Sequence, residues 1–197
     1  MRERRRGFCI INVGEELTVL VNPLLSLHSD RLLWRLVSQV LPRPDPVMQS
    51  WLLDPGSLTL RLKHQSAGRF RVVVLEEGWV RRQLPALLQC FPPSVVRERM
   101  WSRRVLLQCG DTPWVAAHSL IPASSMEGEL KRLRNLRTRP LGEFLFRHPQ
   151  LRRGQLELTQ TDDGWGRRSL FHLYGKPLLV AEFFLPALLV DTTDRHV

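Results

Sequence analysis

Alternation of apolar and polar residues through most of the chain after residue 57 is the feature that most restricts its fold. Side chains point to opposite faces of a β-strand in turn, so alternating apolar residues indicate strands with a buried face. The alternating segments are residues 58–62, 70–74, 105–109, 115–121, 155–159, 169–174 and 178–185. Several connections between them are short and rich in Gly, Pro and Asp, as in hairpins. The sequence therefore predicts one antiparallel sheet.

Helical periodicity occurs in four segments: residues 29–41 and 47–53 before the strand pattern, and residues 124–139 and 141–147, which interrupt it once. In the third segment, Ser124-Ser125-Met126-Glu127 matches a capping box, in which a serine oxygen accepts from a first-turn N–H and the glutamate reaches back. The leucines at 130, 133 and 136 then mark one apolar face. Helices beside alternating strands indicate an α+β fold, with helices lying on the antiparallel sheet.

The positive charge of the chain is compatible with several kinds of partner and does not distinguish between them. Lys and Arg number 29 against 19 Asp and Glu, a formal net charge of +10. The excess is concentrated in residues 61–110, which hold 10 basic and 3 acidic residues. A nucleic-acid binder and an enzyme for a small anionic substrate both carry such charge. A solvated face with no partner fits it equally.

Several protein classes are excluded by composition. No apolar run reaches the roughly 20 residues of a membrane span, so no membrane insertion is expected. The basic start is followed by an apolar stretch, residues 8–13, that is too short for a signal peptide. Three cysteines without a CxxC motif, and scattered histidines, predict neither a disulfide framework nor a metal site. A reducing cytoplasm is the predicted location.

Two charged residues stand on apolar strand faces and are the best site candidates. Arg103 follows the apolar alternation of residues 101–109, whereas Arg104 lies on the more polar face. Glu182 is the one charged residue of segment 178–185. Burying an unpaired charge is costly, so a structural explanation pairs Arg103 with Glu182, or lets Arg104 and Glu182 reach solvent at an edge. The functional explanation is a polar pocket, in which the guanidinium binds a carboxylate and the carboxyl recognises a hydroxyl.

Other residue groups weigh less as functional candidates: Asp162-Asp163, Trp165-Gly166-Arg167-Arg168, the basic run from Lys131 to Arg139, and His118. Asp-Asp-Gly between strands is typical of a turn. The tryptophan is expected to anchor a hairpin beside solvated or paired arginines, and the basic run to form the wet side of a helix. A histidine within a strand is expected to be a core or edge residue.

Five motifs occur in order along the chain: Trp101-x-Arg103, Gly110-Asp111-x-Pro113-Trp114, Pro140-Leu141-Gly142, Trp165-Gly166-Arg167-Arg168-Ser169, and Gly175-Lys176-Pro177-Leu178-Leu179-Val180-Ala181-Glu182-x-Phe184-Leu185-Pro186. Each alone is weakly specific, but their order and spacing are strong evidence together. From about residue 45 to residue 187, the sequence resembles the bacterial chorismate lyases.

The resemblance implies a single six-stranded antiparallel sheet covered by helices, with an internal ligand cavity closed by flaps. It divides the chain into an N-terminal extension with one helix (1–44), the lyase-like domain (45–190) and a tail (191–197). The implied reaction removes pyruvate from chorismate and leaves 4-hydroxybenzoate, the first committed step towards ubiquinone. Aromatisation supplies the driving force, so the resemblance implies neither a metal nor another cofactor.

The resemblance also implies roles for four residues. Arg103 binds the ring carboxylate and Glu182 contacts the 4-hydroxyl. Backbone amides of Leu141 and Leu58 help to hold the carboxylate, although the family has methionine at the position of Leu58. His118 stands where some members carry an arginine near the cavity entrance. The expected partners are chorismate and 4-hydroxybenzoate, without nucleic acid, and the expected state is a monomer.

Two other functions remain open at this point. A non-catalytic small-carboxylate-sensing domain has the same fold in some transcription regulators, but these carry a winged-helix domain for which about 44 preceding residues are too few. A nucleic-acid-binding protein would use aromatic stacking platforms, whereas this chain has one tyrosine and its tryptophans sit beside turns. Production of 4-hydroxybenzoate from chorismate separates the enzyme from both alternatives.

Overall fold

A computed structural model describes residues 32–81, 85–162 and 164–193, without the side chains of 191–193. Its strands are β1 (Arg35–Leu36), β2 (Phe70–Val80), β3 (Met100–Cys109), β4 (Thr112–Pro122), β5 (Arg152–Thr161), β6 (Gly164–Leu173) and β7 (Lys176–Phe184). They form one antiparallel sheet in the order β1-β5-β6-β7-β4-β3-β2. The predicted α+β fold is confirmed, and six of the seven predicted strand segments match the six long strands to within one residue at their ends.

The remaining predicted strand, residues 58–62, is wrong, because this segment is helical. Helix α1 (Pro46–Leu52), which was predicted, is followed by α2 (Leu58–Gln65). Ser57 caps α2, since its hydroxyl oxygen accepts from the amide of Leu60 at 3.4 Å. Leu58 and Leu62 are buried one helical turn apart, whereas Leu60 is 61% exposed. A leucine at every second position satisfies a spacing of four as well as a spacing of two, which explains the error.

The predicted helix over residues 29–41 is wrong wherever the structure describes it. Residues 29–31 lie outside the described residues, β1 pairs with β5, and Val37–Gln39 forms a single 3₁₀ turn. Leu32 packs in the core on one face of the sheet and Val40 in the core on the other. Because this segment passes around the sheet edge, its apolar residues are divided between two faces instead of forming one helical stripe.

The segment after β4 contains two 3₁₀ helices, Ala123–Ser125 and Gly128–Asn135, and no capping box. The Ser124 hydroxyl donates to Glu98 Oε1 at 2.8 Å, and Glu127 accepts from Lys176 Nζ at 2.7 Å. The leucines at 130, 133 and 136 are buried as predicted. Their spacing of three matches the three residues per turn of a 3₁₀ helix.

Both faces of the sheet are covered. The remaining helices are α3 (Pro85–Leu88), α4 (Pro93–Val96), α5 (Leu141–Leu145) and α6 (Pro186–Thr193). Helices α1 and α2 pack on the face that carries Val105 and Leu107, and α5 packs towards the end of that face. Helix α3 packs on the opposite face, against Leu106. None of the described helices is long and apolar enough to cross a membrane.

Candidate active site

A cavity of about 50 Å³ lies between the sheet and the helices α2 and α5. Arg103, Glu182, Leu58 and Leu141 all line it. The structure therefore brings together the four residues that the sequence suggested, from β3, β7 and the first residues of two helices. Their individual roles stay predictions, and the contacts of each are described below.

Arg103 is a buried cation with a fixed position. Its side chain is 3% exposed and follows the apolar face of β3. Nη1 donates to the carboxylate of Glu77, its register partner on β2, and Nη2 donates to the carbonyl oxygens of Arg137 at 2.5 Å and Arg139 at 3.3 Å. Because a guanidinium has five N–H donors, these three contacts leave donors for a bound carboxylate.

Glu182 is paired with a buried arginine from the neighbouring strand. Arg167 is its register partner on β6, and the Arg167 Nε donates to Glu182 Oε2 at 2.6 Å. The Arg167 Nη1 also donates to carbonyl oxygens at the end of α1, those of Trp51 at 2.9 Å and Leu52 at 3.1 Å. Arg167 therefore fixes the carboxylate and connects α1 to the sheet.

The structural pairing of Arg103 with Glu182 that the sequence allowed does not occur. Each residue has a different partner, and Arg104 pairs with Glu76 on the opposite face of the sheet. Glu182 also does not reach solvent beside Arg104, because it lines the cavity on the other face. Arg103 and Glu182 therefore line one cavity, each with its own ion-pair partner, and the binding roles of the functional explanation stay predictions.

The two predicted amides belong to the first residues of α2 and α5. Ser57 precedes Leu58 as the N-cap, and Pro140 precedes Leu141. First-turn amides have no acceptor within their own helix, so both can donate into the cavity. The two helix starts are in close contact, since a Cβ built on Gly142 would lie 2.8 Å from Thr59 Oγ1.

Arg153 and Arg167 also line the cavity, and the sequence interpretation did not place either in the site. The Arg153 Nε donates to Ser169 Oγ at 3.0 Å, and its Nη1 donates to the Asp54 carbonyl oxygen at 3.2 Å. Burial, and secondarily the charge of Arg167, lower the pKa of Arg153 below its ordinary value. Arg167 could have been found by extending the alternation of Ser169 and Phe171 back by one residue pair.

The residue groups that were weaker functional candidates in the sequence lie as follows. His118 lies beside Arg104 in the register, away from the cavity-lining face, and its Nε2 contacts Ser102 Oγ at 2.9 Å.

Arg167 and Arg168 are each 2% exposed and paired with glutamates, so the paired interpretation is confirmed. The charged side chains of the 131–139 run are exposed, as predicted. Asp162 is an exposed turn residue, and Asp163 lies outside the described residues. Among the residues that the structure describes, no three His, Cys, Asp or Glu side chains form a metal-binding group.

Two solved structures of regulators have low similarity to this fold. They are GntR-family transcriptional regulators from Bacillus cereus (TM-score 0.40, 12% identity) and Enterococcus faecalis V583 (TM-score 0.36, 13% identity). The matches cover 60% and 59% of this chain and 93% and 94% of the regulators. TM-scores this low carry no argument about function.

Sequence relatives are much closer. The family described as chorismate lyase matches residues 28–193. The chorismate pyruvate-lyase of Proteus mirabilis (strain HI4320) is 42% identical over 140 residues, which cover 70% of this chain and 80% of that protein. The chorismate pyruvate-lyase of Escherichia coli O9:H4 (strain HS) is 36% identical over 148 residues, covering 75% of this chain and 87% of the relative. The chain therefore belongs to the chorismate lyase family.

Proposed function

We propose that this protein converts chorismate into 4-hydroxybenzoate and pyruvate, and so supplies the aromatic ring for ubiquinone. The observation that carries the proposal is the placement of Arg103 and Glu182 in one cavity, together with two helix-start amides. Arg103 can bind the ring carboxylate of a substrate, and Glu182 can accept a hydrogen bond from a substrate hydroxyl. Family membership and relatives named chorismate pyruvate-lyase support it.

Binding of the ring carboxylate is assigned to Arg103 with the amides of Leu58 and Leu141. Glu77 and the carbonyl oxygens of Arg137 and Arg139 hold the guanidinium in place before substrate arrives. A donor that is already oriented needs no reorganisation during the reaction, which is the main source of electrostatic catalysis. The same contacts fix the ring relative to the rest of the cavity.

Orientation of the 4-hydroxyl is assigned to Glu182. An ionised carboxylate accepts hydrogen bonds only, and the Arg167 Nε that donates to Glu182 Oε2 at 2.6 Å holds this carboxylate in place. Glu182 therefore accepts from the substrate hydroxyl and holds the carbon that loses its hydrogen. The reaction breaks the ether bond between the ring and the enolpyruvyl oxygen, and the ring becomes aromatic as that hydrogen leaves. The proton passes either to the enolpyruvyl methylene or through Glu182.

The experiment is to mix the purified protein with chorismate and to measure both products. Equal amounts of 4-hydroxybenzoate and pyruvate are expected. Binding of 4-hydroxybenzoate with no product formed at high protein concentration would favour the small-carboxylate-sensing domain. The proposal includes a cytoplasmic location and a monomeric state, and the latter is tested by light scattering of the purified protein.

A further inference from the structure

The cavity contains one arginine that forms no direct ion pair with a described carboxylate. Three arginines line it. Arg103 is paired with Glu77 and Arg167 with Glu182. Within the described ranges, no carboxylate oxygen lies within 4.0 Å of the Arg153 guanidinium, and its two hydrogen bonds go to the uncharged Ser169 Oγ and Asp54 carbonyl oxygen. The cavity therefore has, on the β5 side, a cation that is held by uncharged acceptors and not by a direct ion pair.

Across the sheet, Arg153 lies farther from Arg103 than Glu182 does. Arg103 is on β3, Glu182 on β7 and Arg153 on β5, and these strands follow the order β5-β6-β7-β4-β3 in the sheet. Arg167, which lies between Glu182 and Arg153 in this order, is already paired with the Glu182 carboxylate. The charged groups available along the cavity are thus a cation, a carboxylate and a second cation.

Chorismate carries two carboxylates that match this order. One is on the ring, across from the carbon that bears the hydroxyl. The other is on the enolpyruvyl group, which is attached to the carbon next to the hydroxyl. A ring held by Arg103 and Glu182 therefore directs its enolpyruvyl group away from Arg103, starting beside Glu182. We propose that Arg153 binds the enolpyruvyl carboxylate, which leaves as the carboxylate of pyruvate.

This inference rests on the proposed function, and the surroundings of Arg153 support it. Its guanidinium is held by Ser169 and Asp54 and lies over the Phe171 ring, 5.5 Å from the centroid, so its direction is set before an anion arrives. Burial and, after it, the charge of Arg167 lower the pKa of Arg153, and the charges of Glu182 and Asp54 oppose this only in part. An anion bound there removes this electrostatic cost.

The test compares Arg153→Met with Arg152→Met. Arg152 is the exposed neighbour on β5 and does not line the cavity, so it is a matched control. For Arg153→Met we expect kcat/KM for chorismate to fall by at least about 30-fold, mainly through KM. The Kd for 4-hydroxybenzoate, which lacks the second carboxylate, should change by less than about threefold. Arg153→Lys should recover part of the loss, and Arg152→Met should change neither constant.

Two results would overturn this inference and leave the proposed function intact. Unchanged kcat/KM for chorismate in Arg153→Met would mean that this cation does not bind substrate. Equal losses in chorismate turnover and in 4-hydroxybenzoate binding would mean that Arg153 only maintains the cavity wall. Wild-type protein that binds 4-hydroxybenzoate but releases no pyruvate would instead overturn the proposed function, and the inference with it.

Discussion

Arg167 on β6 and Glu182 on β7 are register partners, and the Nε of the arginine donates to the carboxylate at 2.6 Å. The same arginine binds carbonyl oxygens at the end of α1. A second Arg–Glu pair, Arg168 with Glu157 at 2.7 Å, joins the next residue of β6 to β5 on the opposite face. The first pair lines the cavity and the second does not. Variants of the two pairs can therefore be compared to distinguish structural from catalytic effects.

Replacement of Glu182 by Gln should reduce catalysis more than stability. Gln keeps the size of the side chain and can still accept from Arg167, but it removes the charge that orients the substrate hydroxyl. We expect kcat for chorismate to fall by about 100-fold, as for other single groups that act on a developing charge. Steady-state release of pyruvate measures kcat, and thermal unfolding measures stability.

The control for this variant is Glu157→Gln. It removes the carboxylate charge that pairs with Arg168, which is as buried as Arg167. It should lower the unfolding temperature about as much as Glu182→Gln. Its kcat should stay within about twofold of wild type. If both variants lost activity in proportion to their stability, Glu182 would have only a structural role.

Replacement of Arg103 by Ala should weaken product binding strongly. Truncating one member of a buried, hydrogen-bonded charge pair costs about 2–5 kcal/mol, so the Kd for 4-hydroxybenzoate should rise by at least about 30-fold. Arg104→Ala is the neighbouring control, because Arg104 pairs with Glu76 on the opposite face. Calorimetric titration of both variants measures the Kd. A similar Kd in the two variants would contradict the assignment of the ring carboxylate to Arg103.

Replacement of Gly142 by Ala should disturb the two helix starts. A Cβ there would lie 2.8 Å from Thr59 Oγ1, so the buried Thr59 side chain must shift at the start of α2, next to the amides of Leu58 and Leu141. We expect a loss of about tenfold in affinity for 4-hydroxybenzoate, a change of about 1.4 kcal/mol. Gly78→Ala is the control, because a Cβ at that position would meet nothing within 4 Å beyond its chain neighbours. Unchanged affinity in Gly142→Ala would show that these amides do not bind the carboxylate.

The thiol of Cys90 should react slowly in the folded protein. Burial raises the pKa of Cys90 to about 11, with Glu157 adding to the effect and Arg168 opposing it. The thiolate is therefore scarce at pH 8, and alkylation of Cys90 by iodoacetamide, followed by mass spectrometry, should proceed far more slowly than in urea. Because the folded state keeps this proton while the unfolded state loses it, Cys90 makes stability fall as pH rises from about 9 to 11. Alkylation at equal rates with and without urea would contradict this.

The sheet was predictable because its strands bury one side of an alternating pattern. The burial of Arg103 was predictable for the same reason, because Arg103 lies on the same face of the strand as Val105 and Leu107. The helix at 58–65 was not predictable, because evenly spaced leucines fit both periods. The segment before residue 42 was misread because its apolar residues pack on two faces of the sheet, which requires knowledge of the tertiary fold.

Arg153 shows why part of the site could not be predicted. The register of β5 with β6 shifts between Arg153 and Leu156. Arg153 therefore shares a face with Leu156 and Leu158, although it is an odd number of residues away from both. A shift of this kind also occurs in β2, between Val74 and Glu76, and it places Glu77 opposite Arg103. Partners set by such bulges depend on strand pairing and not on local sequence.

The most direct measurement compares wild-type protein with Arg103→Ala for the release of pyruvate and 4-hydroxybenzoate from chorismate, at equal protein concentration. We predict equimolar products from the wild type and a loss in kcat/KM of at least about 100-fold in the variant, since the buried guanidinium holds the ring in its reactive position. Wild-type protein that makes neither product, or a variant that makes both at the wild-type rate, would contradict it.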